Sequence, residues 1–151
     1  RVGILKTVAY VLVAVIGFVF IADALLVALQ ALVPGFDANQ PQTNDFTGAV
    51  HTHQGLALLA LVIVPPIFEE TIFRGFVFPA LAKRTGLVWG AIFSSALFGL
   101  AHGQANLFVY TMILGLVLCF IYVRTKSIVP GIILHMLNNF LAFIVLAGSG
   151  K

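Results

Sequence analysis

Five long apolar stretches leave this chain little choice of solvent. They run from about Ile4 to Val33, Gly55 to Ala82, Gly86 to His102, Leu107 to Val123 and Ile128 to Ala147. Each is near the roughly 20 residues a helix needs to cross the hydrocarbon core of a bilayer. In lipid every backbone N–H and C=O must find its partner within the protein, which restricts such stretches to helices. The expected fold class is therefore all-α: a polytopic transmembrane bundle of about five membrane-spanning helices. The second span is expected to be broken, because Pro65-Pro66 interrupts it.

Charge supports this reading. Only 9% of the residues are charged, against about 25% in an ordinary soluble domain. The eight Lys and Arg are scattered without a basic stripe, which argues against nucleic acid as a partner. Six of them fall at alternate boundaries instead: Arg1 and Lys6, then Lys83 and Arg84, then Arg124 and Lys126. Under the positive-inside rule this places the N-terminus in the cytoplasm and the polar loop Pro34–Gln54 outside, in a multi-pass plasma-membrane protein. The lack of a long soluble domain favours a bacterial source.

The organisation expected is a first helix with its outward loop (residues 1–54), a helical core (55–147), and a tail at 148–151 that reads as a linker remnant. An opening Arg1 in place of Met reads as a processed or partial chain. Links as short as Lys83-Arg84-Thr85, Gly103-Gln104-Ala105-Asn106 and Arg124-Thr125-Lys126-Ser127 make neighbouring helices antiparallel. Ala91, Ser95, Gly99 and Gly103 form a small-residue ridge on the third segment, where another helix can approach closely. His51 and His53 read as exposed loop residues. Cys119, without a partner, reads as a small buried hydrophobe; Ser94 and Ser95 read as packing residues.

Against this background a charge within a span is expensive, on the order of 2.5–3.5 kcal/mol, and marks a functional candidate. Glu69, Glu70 and Arg74 sit together after the proline pair. With Pro66 in a first helical turn, both glutamates would lie in opening turns where the helix dipole favours them. Glu70 and Arg74, four apart, share a face and can pair. Glu69 points about 100° away and is left for other work. His102 closes the third segment beside Phe98. His135 lies in the fifth, with Asn139 one turn along on the same face. Singly, either histidine reads as a core residue bonded to a carbonyl; with Glu69, on short-linked helices, they read as a site.

The ordered set Glu-Glu-x-x-x-Arg, Phe-x-x-x-His and His-x-x-x-Asn resembles the CPBP family: the CAAX-type prenyl proteases, the bacteriocin-processing enzymes and the Abi proteins. The resemblance covers roughly Gly55 to Ala147. It implies an intramembrane endopeptidase acting on a membrane-associated or lipidated substrate, with Glu69 as general base and His102 holding the attacking water. His135 and Asn139 would steady the oxyanion, and Glu70, Arg74 and Phe98 would shape the site. Amide hydrolysis does need an activated water, a proton acceptor and donors aimed at the oxyanion. Two mechanisms stay open. Glu69, His102 and His135 suit a catalytic Zn2+ with water in the fourth position; in the metal-free alternative, which is preferred, Glu69 serves as base. Membrane lipid and a peptide or lipidated-protein substrate are the expected partners. Two other functional classes remain: a catalytically silent binding protein, such as a bacteriocin immunity factor or scaffold, and a proton-coupled transporter. The lack of an inverted repeat speaks against the transporter.

Overall fold

The computed structural model describes residues 3–36, 50 and 52–148, and among them the chain is helical with no strand. Five helical bodies follow one another: α1 (Ile4–Leu32), α2 (Gln54–Thr85), α3 (Leu87–Leu100), α4 (Ala105–Thr125) and α5 (Val129–Gly148). The turns are short and built by residues suited to them. Gly86 (φ 85°) and Gly103 (φ 75°) take left-handed conformations that cost glycine nothing. Lys126 ends α4 with φ 56°. Most of the Pro34–Gln54 loop, His51 and the 149–151 tail lie outside the described residues; His53 is exposed, as expected.

Four of the five helices are long and apolar enough to cross a membrane, and only 17% of the most apolar window of α1 is buried within the protein. Hydrocarbon is the solvent that satisfies such a surface. α3 departs from the five-span expectation. With 14 residues it reaches about 21 Å, short of the roughly 30 Å hydrocarbon core, because Gly86 and Gly103 bracket it closely.

The second span is not broken either. α2 runs 32 residues and absorbs its prolines by widening into π-helical turns at Leu59–Ile63 and Phe73–Val77. Pro65 and Pro66 follow the first wide turn directly. Glu69 and Glu70 therefore lie deep in a continuous helix. No open N-terminus, and so no helix-dipole end, supports them.

α3 packs on α4 and on the end of α2, α1 packs on α4, and α5 closes against α2 and α4. The small-residue ridge works at two of its four positions. A Cβ on Gly115 of α4 would come within 2.8 Å of the Ser95 Cβ, and a Cβ on Gly99 within 2.8 Å of the Phe108 carbonyl. The two helices thus touch nearly backbone to backbone. Gly103 forms the turn and Ala91 lines an outer groove. Ser94, Ser95 and Cys119 are buried, matching their reading as packing residues. The largest apolar core joins Ala14, Phe18 and Ala22 of α1 to Leu114, Leu118 and Ile121 of α4 and Leu134 of α5.

Candidate active site

The polar interior is built outward from Arg74, which lies at the second wide turn of α2. Its guanidinium donates to Glu70 Oε1 at 2.7 Å and to the Gly115 carbonyl at 3.1 Å, and it sits 4.6 Å from the centre of the Phe98 ring. Glu70 is completely buried. Its second oxygen lies against Gly131 of α5, where a Cβ would come within 3.1 Å. Glycine at that position lets α5 approach the carboxylate.

Glu70 also receives His135. The imidazole Nδ1 lies 3.2 Å from Glu70 Oε1. A carboxylate only accepts, so Nδ1 carries the proton and donates it. The opposite ring nitrogen, Nε2, then faces Glu69 Oε2 at 3.6 Å. This Glu69 oxygen is buried without a hydrogen-bond partner, although the side chain as a whole is 29% exposed. If His135 is neutral, two acceptors face each other across a gap that a donating water can bridge. If it is protonated, it stands between two carboxylates.

Phe98 is the hub of the site. Its ring packs edge-on to Phe73, His102 and His135, at centroid distances of 5.0, 4.9 and 5.7 Å. It thereby fixes both imidazoles and the arginine at once. His102 lies just beyond the end of α3 and bonds back to the Phe98 carbonyl through Nδ1 at 2.9 Å. A carbonyl also only accepts, which puts the proton on Nδ1 and leaves Nε2 as an acceptor in the neutral ring.

Asn139 explains the role of the prolines. Its Nδ2 donates to the Leu61 carbonyl at 3.0 Å. In a helix that carbonyl would accept from residue 65, or from residue 66 in a π turn, and both are prolines without an N–H. Asn139 satisfies the carbonyl they leave open. The direction of the hydrogen-bond chain follows, because Asn139 must turn its oxygen the other way. That oxygen accepts from Asn138 Nδ2 at 3.3 Å, and Asn138 Oδ1 accepts from the Tyr110 hydroxyl at 2.6 Å. Neither Tyr110 nor Asn138 belongs to the motifs that mark the site in the sequence. Their signal there is faint: a Tyr-Thr pair inside an apolar run, and an asparagine beside Asn139.

Glu69, His102, His135 and Asn139 line one cavity of about 490 Å3, together with Tyr110 and Asn138. Glu69 is its one carboxylate. Glu70, Arg74 and Phe98 are not among the lining residues; they lie behind it. Glu70, expected from the sequence to shape the site, holds His135 and Arg74. The ligand set considered for zinc is not assembled. Among the described residues no three His, Cys, Asp or Glu side chains lie close enough to share a metal ion, although His135 and His102 direct Nδ1 to Glu70 and the Phe98 carbonyl, the pairing that leaves Nε2 as the ligating nitrogen of a metal-bound histidine. As arranged, Glu69, His102 and His135 are not grouped closely enough for a three-ligand centre.

Comparison with known proteins follows the same stretch of chain. Residues 51–141 match the family described as Type II CAAX prenyl endopeptidase Rce1-like. A curated Bacillus subtilis (strain 168) relative named "Putative membrane peptidase YdiL" is 38% identical over 89 residues, covering 57% of this chain and 36% of the relative. The chain thus spans about a third of the length of that curated relative. No solved structure matches.

Proposed function

The chain belongs to the type II CAAX prenyl endopeptidase Rce1-like family, and on that premise we propose that it is an intramembrane endopeptidase cutting a membrane-associated or lipidated substrate. The observation that carries the reading is the convergence of Glu69 of α2, His102 of the turn after α3, and His135 and Asn139 of α5 on one cavity inside an apolar bundle. Glu69 takes a proton from a water that His102 Nε2 helps to hold. The hydroxide attacks the scissile carbonyl carbon. His135, protonated at Nε2, and the second N–H of Asn139 stabilise the oxyanion. Glu69 then passes its proton to the leaving nitrogen as the C–N bond breaks. Glu70 and Arg74 act behind His135 by holding its Nδ1–H and so its orientation, an arrangement like that of buried carboxylates behind catalytic imidazoles in general.

The test applies whatever the substrate is. New N-termini in the membrane fraction would be profiled in cells producing the protein, Glu69→Gln or His102→Ala at equal levels. The expected outcome is a set of termini present with the wild type and lost, by at least about 100-fold in abundance (the order of general acid–base contributions), with either variant. Termini unchanged in both variants would leave the silent binding protein as the better reading.

A further inference from the structure

A pair of further cavities lies at the end of the bundle that carries the basic residues. The first turn of α1 and the α4–α5 turn together line an open pocket of about 1360 Å3, which holds Lys6, Thr7, Thr125, Lys126 and Ser127 but no carboxylate. Tyr10 lines this pocket and also the mouth of a neighbouring groove of about 580 Å3. That groove runs between α3 and α4 past Val88, Ala91, Ile92, Leu116 and Phe120, with Arg124 at the same end as Tyr10. Along α4, from Val123 to Leu116, it extends roughly 10 Å at the helical rise. Arg124 is held at the junction by two rings, 5.9 Å from Tyr10 and 5.1 Å from Phe120.

The chemistry of the two spaces is complementary. Two lysines and an arginine, without a carboxylate among the lining residues, call for an anion. The apolar groove that begins beside them calls for hydrocarbon attached to that anion. Basic pockets between membrane helices at the interface are suited to such a molecule. We propose that this pocket and groove bind one anionic phospholipid of the adjoining leaflet, its phosphate among Lys6, Arg124 and Lys126 and the upper part of an acyl chain along α3 and α4. The site shares no lining residue with the polar cavity and does not depend on what that cavity hydrolyses.

Native mass spectrometry of the detergent-purified protein, mixed with equal amounts of dioleoyl-phosphatidylglycerol and dioleoyl-phosphatidylcholine, tests the site. The wild type is expected to retain one phosphatidylglycerol in preference to phosphatidylcholine, and excess inorganic phosphate is expected not to displace it. Preference should fall roughly fivefold for each cation removed, in Lys6→Gln and in the double variant Arg124→Gln/Lys126→Gln. Lys83→Gln/Arg84→Gln removes two exposed charges that line neither space and is expected to leave the preference intact. Equal retention of both lipids by the wild type would overturn the proposal. So would displacement by phosphate, or an equal loss in the Lys83/Arg84 variant, which would reduce the preference to a diffuse surface field. Lys6→Gln, a change at the surface, keeps the test decisive if the double variant does not fold.

Discussion

Arg74 is 1% exposed and carries a full charge into the interior of an apolar bundle. Its placement is paired throughout: a carboxylate at 2.7 Å, a backbone carbonyl of α4 at 3.1 Å and an aromatic face at 4.6 Å. A buried ion pair adds little net stability, because desolvation offsets most of the attraction, but removing one partner strands the other. Arg74→Ala leaves Glu70 charged and completely buried, with His135 as its remaining close polar neighbour. The expected cost is about 3–5 kcal/mol, read as a fall in the thermal midpoint of the detergent-solubilised protein. Adding Glu70→Gln should recover much of that loss, since it removes the stranded charge; no recovery would mean that Arg74 acts mainly by filling space. Residues of this kind are legible in the sequence because lipid makes every intramembrane charge conspicuous. Tyr110 and Asn138 are not. Each is an ordinary residue for a membrane helix, and their hydrogen bond joins positions 28 residues apart that only the docking of α4 on α5 brings together.

The helix boundaries follow from hydropathy to within a few residues, since the spans are long and the links short. The internal form of α2 does not. A proline pair reads as a break, yet here the helix widens at Leu59–Ile63 and continues. What permits this is a partner on another helix: Asn139 of α5 takes up the Leu61 carbonyl, and sequence alone does not show where such a carbonyl goes. The pairing makes α2 and α5 a single mechanical unit, with Glu69 on one side and His135 on the other. Pro65→Ala would return an N–H that can reach Leu61 O in the ordinary i→i−4 register. Helix stability should not fall, because the added bond contributes up to about 1 kcal/mol and a helix-interior proline is removed. Asn139 would lose its fixed tether, so cleavage of a substrate found by N-terminal profiling should drop several-fold at an unchanged or raised thermal midpoint. A lowered midpoint with undiminished cleavage would show that the prolines serve the fold rather than the site.

At the scale of the whole molecule the two ends of the bundle differ in kind. Lys6 and Lys126 line one pocket, Arg124 reaches Tyr10 of α1, and the α2–α3 turn after Lys83 and Arg84 opens beside the same groove. The basic boundaries therefore share one end. The polar cavity occupies the other half: its lining comes from Leu61 to Glu69 of α2, from His102 beyond α3, from Leu107 to Leu114 of α4 and from His135 to Leu146 of α5. If the basic end faces the cytoplasm, as the positive-inside rule requires, the cavity lies nearer the opposite face and its substrate bond must be presented from that side. Cysteine labelling in a Cys119→Ala background separates the two orientations, and Cys119 is buried enough to be silent in any case. A membrane-impermeant maleimide applied to intact cells is expected to label Gln104→Cys, in the turn beside the cavity, and to label Lys83→Cys only after permeabilisation. The reverse pattern would put the cavity toward the cytoplasm. The scattered basic residues would then be working against the usual rule, and some other feature, such as helices elsewhere in a longer protein, would have to set the orientation.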